Sequence, residues 1–181
     1  MITASIKKRE NIAEYLLYMW QIEDLIRANS LDIDKIQINI IDQYKDLSQE
    51  QKKNMREWYE SLIDMMRSEG VAEKGHLQIN KNVIIQLDDL HRRLLDNQKF
   101  ATYSAQFYHT LPIIVELRSK AGESKAGEIE TCFNALYGIL LLRLQGKEIS
   151  EETRQATAQI SKFLAVLAMY YKKDYNNELE L

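Results

Sequence analysis

An all-α fold, an up-and-down antiparallel bundle of about six to seven helices, follows from three observations. Apolar residues recur at three- and four-residue spacing along most of the chain. Turn residues are scarce: there are one proline and six glycines in 181 residues, whereas compact β-proteins need turn signals roughly every 8–12 positions. Connections of about two to eight residues between long periodic stretches favour antiparallel neighbours.

The first helix is expected from about Lys8 to Ala28, with Ile12, Tyr15, Leu16, Met19, Ile22 and Ile26 at helical spacing. Leu17, Tyr18, Trp20 and Leu25 carry the apolar surface round the cylinder, which places this helix centrally. Asp32 caps a second helix to about Tyr44, turning Ile33, Ile36, Ile40, Ile41 and Tyr44 inward. The alternation Ile36-Gln37-Ile38-Asn39-Ile40 also fits a strand, with Leu77-Gln78-Ile79 as its partner. An isolated two-stranded pairing is marginal in water, so helix is the reading adopted. Ser48 and Gln51 form a capping box. The helix it opens carries Met55, Trp58, Tyr59, Leu62, Met65 and Met66 on one face, and Gly70 closes it in the left-handed conformation.

After a short loop at Gly75, a helix from Leu77 to Leu95 is striped by Val83, Leu87, Leu90 and Leu94. Asp96-Asn97-Gln98 turns the chain into the next, bearing Phe100, Tyr103, Phe107, Leu111, Ile114 and Val115. Pro112 falls inside that pattern, where it removes a backbone hydrogen bond and clashes one turn back, predicting a kink near Tyr108. Gly122 to Gly127 reads as a loop. A helix from about Glu128 to Gln145 follows, with Ile129, Cys132, Phe133, Leu136, Leu140 and Leu144, and Gly146 ends it. Ser150 caps the last helix, whose stripe is Ala156, Ile160, Phe163, Leu164, Leu167 and Tyr171. Residues 1–173 are expected to form a single domain, with 174–181 a frayed tail.

Charge narrows the function classes. The net charge of −3 is mixed along the chain, so no long-range field gathers phosphate backbones, and nucleic-acid binding is disfavoured. The basic clusters Lys7-Lys8-Arg9, Lys52-Lys53 and Arg92-Arg93 are short and scattered. The single cysteine, Cys132, has no partner for an internal disulfide, which suits a reducing compartment. No apolar run approaches the ~20 residues that span a bilayer. A cytoplasmic protein away from the membrane is expected.

Candidate chemistry is thin. Asp88 and His91 share a helix face at i, i+3. Carboxylate-bridged di-iron bundles use a Glu-x-x-His pair on each of two helices, with further glutamates from two others. Here one predicted helix offers one pair, with Asp in place of Glu, and a buried histidine with a local hydrogen bond is the simpler reading. With the chain turning between Asn97 and Gln98, His91 comes level with Ser104 and His109 stands roughly 7.5 Å away along the axis, too far for one zinc ion with Zn–N bonds of about 2.0–2.1 Å unless the kink at Pro112 intervenes. Cys132 lies on an apolar stripe without a basic neighbour one turn away, the setting of an inert thiol. Gly122 and Gly127 lack the spacing of a phosphate loop. No metal, cofactor or catalytic residue is expected.

Two features stand apart. Glu23 and Asp24 interrupt the apolar first helix beside Trp20, and Arg143 sits between Leu142 and Leu144. An arginine fork can hold a buried carboxylate, so Trp20, Glu23, Asp24, His91 and Arg143 are the candidate pocket residues, with an Arg143–Glu23 or Arg143–Asp24 pair as the specific expectation. The alternative, and the preferred one, has Arg143 reaching water past its neighbours. The second feature is a stripe of small residues, Ala158, Ser161, Ala165 and Ala168, on the last helix. Such residues let helices approach closely, within the bundle or across a two-fold homodimer. Gly138 inside its helix costs about 1 kcal/mol relative to alanine.

Several stretches together resemble a known family: Glu10-Asn11-Ile12-Ala13-Glu14-Tyr15-Leu16-Leu17-Tyr18-Met19-Trp20, Arg56-Glu57-Trp58-Tyr59, Thr131-Cys132-Phe133-Asn134-Ala135-Leu136-Tyr137-Gly138 and Gln159-Ile160-Ser161-Lys162-Phe163-Leu164. They are similar to a functionally uncharacterised family of short, all-helical bacterial proteins, a domain of unknown function, over nearly the whole chain. The resemblance implies one helical domain and carries no catalytic residues over. The leading reading is therefore a helical interaction or structural module without catalysis of its own, homo-oligomeric, with an unknown protein partner. Its rival is a small-ligand- or metal-binding enzyme with a site between helices. A nucleic-acid-binding regulator is the third reading, and it would need basic residues gathered on one face.

Overall fold

The computed structural model describes residues 2–121 and 126–180. Its helices are α1 (Ile2–Glu10), α2 (Ile12–Ala28), α3 (Ile33–Asn39), α4 (Gln49–Ser68), α5 (Gln78–Asp96), α6 (Ala101–Lys120), α7 (Glu128–Leu144) and α8 (Glu151–Tyr175). One-turn 3-10 segments lie at Ile41–Gln43 and Gln98–Phe100. No strand forms among the described residues, and the Ile36–Ile40 stretch is largely helical. The all-α expectation holds, with one helix more than the upper count.

The additional helix comes from Asn11. Its side-chain oxygen accepts the Ala13 amide at 3.1 Å, a bond that starts α2 afresh and leaves residues 2–10 as a helix of their own. The second correction concerns residues 33–44. Asp32 caps α3 through the amides of Asp34 and Lys35, at 2.9 and 3.3 Å. The helix stops at Asn39, because Ile40 leaves helical geometry (φ −125°, ψ −62°). Ile36 and Ile41 are both fully buried, yet residues five apart on an α-helix point about 140° away from each other. The 3-10 turn brings both inward.

Other boundaries follow local chemistry. Ser48 and Gln51 make the reciprocal capping box. At the far end of α4, the Gly70 amide reaches the Arg67 carbonyl and the Val71 amide reaches that of Met66, with Gly70 at φ +68°, a Schellman closure. Helix α6 runs unbroken through Pro112. Pro112 brings no amide hydrogen for the Tyr108 carbonyl one turn back, and Tyr108 is an exposed residue. Of the loop expected at Gly122 to Gly127, positions 122–125 lie outside the described residues. Helix α8 continues to Tyr175, and Asn177, at φ +57°, then ends it.

The chain divides into two compact units, residues 1–10 with 14–82 and residues 11–13 with 83–181. In the first, α3, the 3-10 turn and α4 pack together, and Ile22, Ile26, Ile36, Ile41, Tyr59, Leu62 and Met66 are buried. In the second, α6, α7 and α8 pack mutually. There α6 and α8 run antiparallel: Phe100 and Tyr103 meet Tyr170, Phe107 meets Phe163, and Thr110 accepts a hydrogen bond from Gln159.

Candidate functional site

Helix α2 presents two opposed faces. At about 100° per residue, Trp20, Glu23, Asp24 and Arg27 share one side, and Tyr18, Ile22 and Leu25 the other.

On the first face Glu23 is wholly buried, at 0% exposure. Its Oε2 accepts the Nδ1–H of His76 at 2.6 Å, and its Oε1 accepts the Leu77 amide at 2.9 Å and the Asn80 side-chain amide at 2.7 Å. Three donors offset the loss of hydration that burying a carboxylate entails. The imidazole of His76 stacks on Trp20, with centroids 4.1 Å apart and planes 13° from parallel. The loop carrying His76 is pinned. Arg27, paired with Asp24 at 2.8 Å, donates to the carbonyls of Val71 and Gly75, and Glu69 accepts the Gln78 amide at 2.6 Å. Gly75 at φ +88° supplies a bend that a side chain would strain. Because Nδ1 donates to the carboxylate, Nε2 is the ring atom His76 has left, on a side chain 29% exposed.

The opposite face lines a cleft of about 480 Å³ in the first unit. Ile22, Leu25, Ile40, Leu47, Met55 and Trp58 form its apolar walls, Gln21, Gln51 and Asn54 add amides, and Tyr18, Tyr44 and Tyr59 add phenols. Among the described residues no charged side chain lines it. Ile22 and Tyr59 lie deep, whereas Leu25 and Tyr44 are exposed at the mouth. The Gln51 oxygen is already engaged in the capping box. Burial above all, and then the neighbouring phenols Tyr18 and Tyr44, holds Tyr59 well above the ordinary tyrosine pKa. Burial and Tyr44 raise Tyr18 as well. The hydroxyls of Tyr18 and Tyr59 are therefore O–H donors at neutral pH, and among the described residues none of the three phenols has a hydrogen-bond partner. A wider hollow of about 570 Å³ beside Leu31 and Ile63 is more open, and its charges are engaged: Asp32 caps α3, Glu60 pairs with Arg56, and Asp64 pairs with Arg67.

In the second unit His91 is buried among the rings of Tyr103, Phe107 and Phe163. Its Nδ1 and the Tyr103 hydroxyl share a 2.5 Å hydrogen bond. Burial, only partly countered by Asp88, lowers its pKa to about 4, so the ring is neutral at pH 7. Its Nε2 stands 3.9 Å from Glu128. Asp88 is turned to Arg92 at 3.1 Å. Among the described residues, no three His, Cys, Asp or Glu side chains converge as metal ligands. Burial pushes the Cys132 thiol up to about 12.

The residues singled out in the sequence are thus divided. Trp20, Glu23 and Asp24 stand together in the first unit, and His91 and Arg143 belong to the second. Glu23 finds its donors in His76, Leu77 and Asn80, and Asp24 finds Arg27. Arg143 is exposed at the end of α7. Of the small-residue stripe, Ala158, Ser161 and Ala165 are exposed and Ala168 is buried. His76, Asn80 and the tyrosine cleft were not anticipated.

Fold and geometry together define an all-helical protein with one tightly hydrogen-bonded buried carboxylate and an uncharged cleft on the other side of the same helix. The chain belongs to the family described as a domain of unknown function, DUF4924, whose model matches residues 1–178. Comparisons with curated proteins and with solved structures found no match. No helix among the described residues is long and apolar enough to cross a membrane.

Proposed function

We propose that this protein works by binding rather than by catalysis of its own, and that its working site is the cleft between α2, the 3-10 turn and α4. One observation carries the reading: an uncharged, apolar-walled cleft of about 480 Å³ lined by three tyrosines whose hydroxyls have no partner among the described residues. That volume lies in the range of about 300–1,000 Å³ typical of small-molecule sites, which pair apolar walls with a few polar groups. Apart from His76, the reactive-type groups elsewhere are engaged, buried or inert. Glu23 holds three donors, His91 is neutral and buried, and the Cys132 thiol is pushed up to about 12. The neutral fluorescent probe N-phenyl-1-naphthylamine tests the site. Wild type binds it with enhanced emission, and Leu25→Glu, which puts a charge at the mouth, does not. Equal emission from both proteins contradicts the reading.

The enzymatic rival rests on the fixed tautomer of His76, whose Nε2 remains to accept a proton. Under it, wild type converts the molecule it binds and His76→Gln does not; under the binding reading the molecule leaves unchanged. A cytoplasmic location, a single folding domain and a homodimer are part of the same proposal. The dimer uses the exposed Ala158, Ser161 and Ala165 of α8. Light scattering that gives the monomer mass for both wild type and Ala165→Trp removes the dimer from it.

A further inference from the structure

The hydroxyls in the cleft specify more than the presence of a ligand. Tyr59 is 3% exposed, lines the cleft, and has no hydrogen-bond partner among the described residues. The ring of Tyr59 is buried while its hydroxyl stays accessible from the cleft, where a ligand acceptor can take the place of water. Tyr18 and Tyr44 are near enough to act electrostatically on Tyr59, so the three phenols gather in one part of the cleft.

The chemistry of the lining sets the ligand's chemistry. The three phenols each bring an O–H, and Gln51, with its oxygen engaged by the Ser48 amide, has only its NH₂ group left to offer, whereas Gln21 and Asn54 bring an acceptor oxygen and an NH₂ group each. Donors outnumber amide acceptors, which favours a ligand that brings an acceptor. Among the described residues no charged side chain lines the cleft, and Lys52 nearby faces Asp42 at 3.9 Å, so an ion entering it would lose hydration without a counter-charge. Part of the wall is aromatic: Trp58 and Tyr59 meet edge to face with centroids 5.1 Å apart, a corner against which another ring can pack, beside the aliphatic Ile22, Leu25, Ile40, Leu47 and Met55.

We infer that the cleft binds a neutral, planar ring compound bearing a carbonyl oxygen, which accepts hydrogen bonds from the hydroxyls of Tyr59 and Tyr18, with Tyr44 at the mouth. This inference rests on the cleft being the working site.

Equilibrium dialysis with three matched probes tests it: coumarin, with a carbonyl; naphthalene, of similar shape without an acceptor; and coumarin-3-carboxylate, an anion. Wild type is expected to bind coumarin about tenfold more tightly than naphthalene, the scale of one hydrogen bond in a dry site, and the carboxylate more weakly than coumarin. Tyr59→Phe should abolish the preference for coumarin. Tyr18→Phe serves in its place if circular dichroism shows that Tyr59→Phe does not fold. Equal binding of coumarin and naphthalene overturns the inference, and so does a preference that survives loss of the hydroxyl. If N-phenyl-1-naphthylamine still binds wild type and not Leu25→Glu, the cleft remains the working site and only its chemistry has been misassigned. Tighter binding of the carboxylate overturns the inference in favour of an anion site. Failure of all three probes and of N-phenyl-1-naphthylamine overturns the cleft reading with it.

Discussion

The two faces of α2 treat polar groups in opposite ways. On one, the oxygens of Glu23 meet three donors within 2.9 Å, and the loop that provides two of them is tied down by Arg27 and Glu69. On the other, Tyr18, Tyr44 and Tyr59 present hydroxyls with no partner among the described residues. A satisfied polar cluster that ties a loop to a helix serves the fold, since losing any member leaves the others stranded in a dry interior. Unpartnered groups in a cleft contribute nothing to the fold in the state seen here. Under the proposed function they serve a ligand.

The largest expected effect is on the satisfied face. Glu23→Leu strands His76, Asn80 and the Leu77 amide, and breaking a buried pair from one side costs about 3–5 kcal/mol. Urea unfolding measures it. A loss below about 1 kcal/mol would mean that the carboxylate does not organise this loop.

Next comes pH, which tests whether the histidine of the second unit also serves the fold. His91 has a folded pKa of about 4, against 6.5 unfolded. The unfolded chain binds the proton more readily, so this contribution is present in full above about 6.5 and is lost as pH falls towards 4. At about 1.4 kcal/mol per unit the loss approaches 3 kcal/mol. Comparing the pH profiles of wild type and His91→Phe isolates it, and identical slopes between pH 4 and 6.5 would refute the assignment.

Smallest is the effect of Tyr59→Phe on stability without ligand, within about 0.5 kcal/mol or slightly stabilising, because no hydrogen bond is lost. A loss above about 1.5 kcal/mol would show that the hydroxyl does structural work, and the contrast between the faces would collapse.

Much of the fold was legible in the residues because its signals are local. The Ser48–Gln51 box, the Gly70 closure, and the Asp32 and Ser150 caps each depend on neighbours a few positions apart. Asn11 was passed over because it lies within a charged and apolar run that continues the helical period on either side. The break after Asn39 was hidden because only burial of both Ile36 and Ile41 requires it. The site was less legible. A buried carboxylate beside Trp20 could be suspected from Glu23 interrupting an apolar helix, but its partner is His76, 53 positions away, and no spacing rule links them. Arg143 was the specific candidate partner, although its reaching water was the preferred reading. The cleft was harder still. Tyr18 reads as more apolar surface on α2, and Met55, Trp58 and Tyr59 as an ordinary inward stripe on α4. Whether two such surfaces meet or leave a gap depends on how α2, the 3-10 turn and α4 are spaced in three dimensions.

Native mass spectrometry of the protein isolated from its own cells without chelator, beside Leu25→Glu prepared in the same way, tests most directly whether the cleft is the working site. The account predicts a wild-type population carrying a small neutral molecule and a Leu25→Glu protein that is bare. The same adduct on both proteins, or bare protein in both, would contradict it.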